Sequence, residues 1–107
     1  MVLVNKFIIL TNKEDYQTIL ENEGLHIVET YDYYFFDQLK AKYSIAQVLS
    51  DDIKITLVEE KNGKSYINHI PIKFFESFET IEGAQEELGE LSGPDSDFSH
   101  LKLAANR

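Results

Sequence analysis

Cysteine is absent from the 107 residues. That removes disulfides, thiolate metal sites, cysteine nucleophiles and thiolate-held iron–sulfur clusters together. Arginine occurs once, at Arg107, at an end expected to fray, so a rigid guanidinium clamp for phosphate or carboxylate is not expected. No apolar run approaches the roughly 18 residues of a membrane span. The first ten residues are interrupted by Asn5 and Lys6 and carry no small-residue cleavage site, so they do not read as a signal peptide. A soluble, cytoplasmic protein is the expectation. Also missing are a P-loop, the dinucleotide-binding glycine pattern, GxSxG and HExxH, and no motif implies a cofactor.

Positive charge is absent from one long stretch. Between Lys73 and Lys102 there is no Lys or Arg, while Glu76, Glu79, Glu82, Glu86, Glu87, Glu90, Asp95 and Asp97 all lie there. Residues 1–73 hold eight lysines against eleven acids, so nearly all of the net charge of −9 belongs to this one segment. Such a field repels nucleic acid and anionic membrane and attracts basic partners or cations. Too few basic residues remain for nucleic-acid binding by counterion release.

What is present suits one folded domain, 1–107. A chain of this length buries about two thirds of its unfolded surface, enough for a core without staples. Hydrophobic residues make up 43%, which sets the chain apart from disordered sequences despite its charge.

The pattern along the chain predicts an α+β fold. Val2-Leu3-Val4 and Phe7 to Leu10 read as a buried strand, and Thr11-Asn12 as the cap of a helix over Lys13 to Glu23. Tyr16, Ile19 and Leu20 supply its helical spacing, and Gly24 its stop. Leu25 to Tyr31 returns to strand character, giving a β-α-β start. Tyr31 to Phe36 satisfies both periodicities; the preferred reading is a short helix capped by Asp32 and ending near Lys42, the other a strand running into a turn. Tyr43 to Leu49, Ile53 to Glu60 and Ser65 to Phe75 predict a three-stranded antiparallel meander. Asn62-Gly63 is its clearest turn, because both residues tolerate positive φ. Ser77 or Thr80 then caps an acidic helix that packs on the sheet through Ile81, Ala84, Leu88 and Leu91. Ser92-Gly93-Pro94 stops it, Phe98 to Leu103 forms a short strand, and residues 104–107 fray. The hairpin followed by an acidic helix resembles the opening of β-grasp domains, a likeness of topology that implies no function.

Three groups of residues carry possible chemistry. Glu79, Glu82, Glu86 and Glu90 recur at steps of three and four with no lysine interleaved, so like charges repel along one side of the helix. This side reads as a solvated face, as a docking face for a basic protein surface, or as a binding face for a divalent cation. Tyr33, Tyr34 and Phe75 come from two aromatic clusters whose members cannot all face the core, which suggests a ligand pocket or a homodimer seam. Asp95, Asp97 and His100 form the one local His–carboxylate cluster, a weak candidate for a metal or for acid–base work. As a calcium loop it lacks glycine at His100 and the bidentate glutamate at Asn106. The three histidines, His26, His69 and His100, have no helical two-histidine spacing.

These features favour a small acidic, non-enzymatic protein that binds a basic macromolecular partner: a regulator, inhibitor, immunity protein or accessory subunit. The alternative is a small-molecule-binding domain or minor enzyme with an aromatic pocket.

Overall fold

The computed structural model describes residues 6–36, 38–50, 52–92 and 99–106, with backbone alone for 91, 92 and 99–106. It is mostly strand. In chain order come β1 (Lys6–Asn12), β2 (Tyr16–Thr18), β3 (Leu25–Phe35), β4 (Gln38–Val48), β5 (Lys54–Lys61), β6 (Lys64–Pro71), a 3-10 turn (Ile72–Phe74), α1 (Ile81–Ser92) and β7 (Ser99–Asn106). Two antiparallel sheets result, ordered β1-β4-β3-β7 and β2-β5-β6.

Side-chain alternation along β1 and β4 builds a three-layer arrangement. Ile8, Leu10, Ala46 and Val48 point to one face of the four-stranded sheet and meet Ile55 and Leu57 of the second sheet. Phe7 and Ile45 point to the other face and meet Ala84 and Leu88 of α1. Where β1 meets the second half of β4 the sheet is thus covered on both sides, which is why Ile45 and Ala46, adjacent in sequence, are both fully buried. A tight corner ties the sheets together: the Thr18 hydroxyl donates to the Thr11 carbonyl at 2.8 Å, and the Thr18 N–H donates to Asn12 Oδ1 at 2.9 Å.

The β-α-β start is overturned. The segment 13–24 holds a turn, the short strand β2 and a loop, with no helix. Tyr16, Ile19 and Leu20 match helical spacing, but Tyr16, Thr18 and Leu20 match strand alternation equally well. The second pattern is the one realised: Thr18 is buried, Tyr16 and Leu20 pack on the core, and Gln17 and Ile19 are exposed. Pairing with β5 decides between them, from Tyr16 opposite Glu59 to Thr18 opposite Leu57. Local propensity yields to that tertiary pairing.

The short helix over Asp32 to Lys42 is likewise replaced by the β3–β4 hairpin, which turns at Phe36 with φ of 52°. Aromatic residues suit a strand paired on both sides, and β3 lies between β4 and β7. The expected meander is also corrected. β5 and β6 do pair across Asn62-Gly63, with φ of 55° and 76°, but β4 belongs to the other sheet, between β1 and β3. Since α1 packs on that other sheet too, the likeness to β-grasp domains does not hold. β7 runs to Asn106, opposite Glu29. Val2 to Val4, Gly93 and Pro94 lie outside the described residues. No described helix is long and apolar enough to cross a membrane.

Candidate functional site

The acidic helix begins where the sequence offers a cap. Thr80 Oγ1 accepts the Gly83 N–H at 3.0 Å, satisfying one of the donors left unpaired at a helix start. Glu82 in the first turn suits the positive end of the helix dipole, whereas the last turn has no basic residue to suit the negative end. Ile81, Ala84 and Leu88 form the packed stripe against Phe7, Ile45 and Phe78. That fixes the rotation of α1 and sends Glu82, Glu86 and Glu90 outward; these three and Glu79, just before the cap, are exposed.

The charges on this face are crowded and uncompensated. Partial loss of solvation raises the Glu87 pKa above its ordinary value, and the charges of Glu76 and Glu90 and a hydrogen bond with Glu90 push it the same way. Among the described residues, none of Glu79, Glu82, Glu86 and Glu90 forms an ion pair. The pair that is seen, Lys42 Nζ to Asp32 Oδ1 at 3.9 Å, lies across β3 and β4 instead.

Beside this face is a polar network that sequence reasoning missed. A register shift between Ile27 and Glu29 marks a bulge in β3, and it re-aims the strand so that Val28 packs toward α1 and Glu29 follows it. Glu29 is 9% exposed, and its Oε1 accepts from Gln85 Nε2 at 2.7 Å and from the Tyr31 hydroxyl at 2.9 Å. Burial, then the bond to Glu29 and its charge, raise the Tyr31 pKa, so the phenol stays protonated as a donor. The one sequence signal was indirect: an acid next to the apolar pair Ile27-Val28, with three strands and a 3-10 turn between it and the glutamine it needs. The network anchors α1 to β3 and thereby holds the acidic face in place.

The aromatic candidates are not brought together. Tyr33 lies opposite Ala41, with its ring 6.4 Å from that of Tyr43. Tyr34 lies opposite Leu39 on one side and His100 on the other. Phe75 packs instead on the core around Ile8 and Ile72, near the Val48 end of β4. Seven residues of β4 separate Val48 from Ala41, about 24 Å of extended chain. A cleft of about 430 Å³ opens between the β1–β2 corner and the start of β4, but its walls are Lys13, Gln17, Leu39, Lys40 and Lys42 rather than these aromatics.

The histidines are also dispersed. His26 is opposite Gln47 and exposed, and His69 Nδ1 lies 3.0 Å from Thr56 Oγ1 on the second sheet. The backbone of His100 pairs with Tyr34, while Asp95 and Asp97 lie outside the described residues. Among the described residues no three His, Asp or Glu side chains gather as a metal site.

No family model, curated protein or solved structure matches this chain.

Proposed function

We propose that this is a small acidic, non-enzymatic protein that binds a basic macromolecular partner through the solvent face of α1. The observation that carries the reading is the orientation of the helix. Its apolar stripe is consumed by Phe7 and Ile45, so Glu82, Glu86 and Glu90, with Glu79 beside them, face outward without a cation among the described residues. Repulsion at four-residue steps costs a few tenths of a kcal/mol per pair. A basic surface docking here relieves that repulsion and is drawn in from a distance by the same field. Nucleic acid and anionic membrane are disfavoured partners for the same reason.

The test is capture of partners from native cell extract at low and high salt by the wild type and by the Glu82→Gln, Glu86→Gln, Glu90→Gln triple variant. The variant keeps the apolar stripe and should fold. It should lose basic partners, chiefly through a slower on-rate and a shallower salt dependence. Equal, salt-independent capture by both proteins refutes the proposal.

A further inference from the structure

Among the described residues strand β6 leaves one edge of the second sheet open, and its hydrogen-bonding parity can be worked out. A two-residue turn with positive φ at Asn62 and Gly63 makes Lys61 and Lys64 a hydrogen-bonded pair. Alternation from there turns the N–H and C=O groups of Tyr66, Asn68 and Ile70 toward β5. The Ile72 N–H, which donates to the Ile53 carbonyl at 3.1 Å, confirms the parity two residues beyond Ile70. The backbone groups of Ser65, Ile67 and His69 therefore point away from β5, and among the described residues nothing pairs with them. Pro71, which has no N–H, ends this row.

Protected edges carry inward charges, prolines or bulges in the middle of the strand. β6 has none of these there. Tyr66 and Ile67 are 49% and 63% exposed, and no bulge interrupts the pairing with β5. The strand also lacks Asp and Glu, and Lys64 is its one Lys or Arg. In a chain of net charge −9 that matters for self-association. α1 and the second sheet lie on opposite faces of the four-stranded sheet, so copies that meet at β6 keep their acidic helices apart.

We infer that β6 pairs with β6 of a second copy, antiparallel about a two-fold axis at Ile67, joining two three-stranded sheets into one of six strands. In this register every outward-facing pair keeps both of its donors. Ile67 exchanges both bonds with its mate, and Ser65 exchanges both with the mate's His69, giving about six backbone hydrogen bonds. An axis at Asn68 would also reach about six bonds, but its outer pairs would set Ser65 against Pro71, which has no N–H, and leave each with a single bond. An axis at Tyr66 would run past the end of the strand at Gly63. The interface is isologous, as a closed dimer requires, and it differs from a seam built on Tyr33, Tyr34 and Phe75.

Sedimentation and cysteine trapping test this directly. Wild type should show a monomer–dimer equilibrium that tightens with added salt, the reverse of the salt effect on the acidic face. Ile67→Pro removes an N–H that makes no internal bond, so the β5–β6 ladder survives, and dimerisation should weaken roughly 30-fold through the loss of two central bonds. Ile67→Lys, which keeps the N–H but sets like charges face to face, should weaken it as well. The chain has no cysteine of its own, so an Ile67→Cys variant should cross-link on oxidation across about 5.5 Å between Cα atoms. Ser65→Cys, about 13 Å or more from its mate, should not. A wild type that remains monomeric at about 0.5 mM overturns the inference. So does a dimer that both Ile67 variants leave intact, or equal cross-linking at positions 65 and 67.

Discussion

Gly24→Ala is the substitution whose sign separates the folded structure from the helix that local spacing suggests. At a helix end Gly24 would adopt positive φ, but here Gly63 is the glycine that does so among the described residues. Gly24 is instead required by a close approach: a Cβ there would lie 2.3 Å from Ile53 Cγ2 and 3.0 Å from its Cδ1. Neither side yields easily. The Gly24 carbonyl accepts the Leu49 N–H at 2.7 Å, its own N–H donates to Asn22 Oδ1 at 2.9 Å, and the Ile53 carbonyl is held by Ile72. Cγ2 is attached at the branch point of a stiff side chain, so it moves only with χ1 or the backbone. Overpacking of this kind costs about 1–3 kcal/mol, whereas replacing an unstrained glycine by alanine stabilises by about 0.4–1 kcal/mol. Urea melts should therefore show the Gly24→Ala midpoint lowered by roughly 1 M, with an unchanged slope. In an Ile53→Ala background the cost should largely vanish, because the two offending carbons are gone and the cycle isolates the clash. A midpoint that is unchanged or raised, or a loss of equal size in both backgrounds, refutes the reasoning.

Gly63→Val tests the β5–β6 turn. No atom lies within 4 Å of a Cβ added there, but φ is +76°, so the cost is conformational, about 1–3 kcal/mol, and a loss below about 0.5 kcal/mol in denaturant melts would contradict the turn. Glu87→Gln tests the crowding on α1. The folded-state pKa of Glu87 is raised, so stability from its protonated form is present at low pH and lost as pH rises through the folded value. The variant should melt above wild type at pH 7, with the gap closing as pH falls through the carboxylate range; a gap independent of pH would assign the effect to something other than ionisation.

The parts of the fold legible in the sequence are those whose determinants are local. Asn62-Gly63 specifies its turn by the φ values both residues tolerate, and Ile81, Ala84 and Leu88 follow a cap at Thr80 and admit one periodicity only. Residues 13–24 and 32–42 are not legible in this way, because each pattern fits a helix and a strand equally. The partners that decide, β5 for the first and β7 for the second, come much later in the chain. The acidic face was legible as charge, and its outward orientation follows from the helix stripe. Glu29 was not, because a bulge shifts the alternation by one residue, and alternation is the whole basis on which a strand face is assigned.

The strand order β1-β4-β3-β7 also governs how the molecule is made. The β3–β4 and β5–β6 hairpins can close soon after they emerge from the ribosome, but β3 keeps its other edge bare until β7 arrives, Phe35 waiting for Ser99 and Glu29 for Asn106. Pairings so distant in sequence put the chain among slowly folding topologies. During that delay the nascent chain displays an aromatic strand edge, open to wrong partners. The acidic stretch that includes α1 directly precedes β7 in the chain, so a copy whose β7 has not yet docked carries the charge that opposes its contact with other copies.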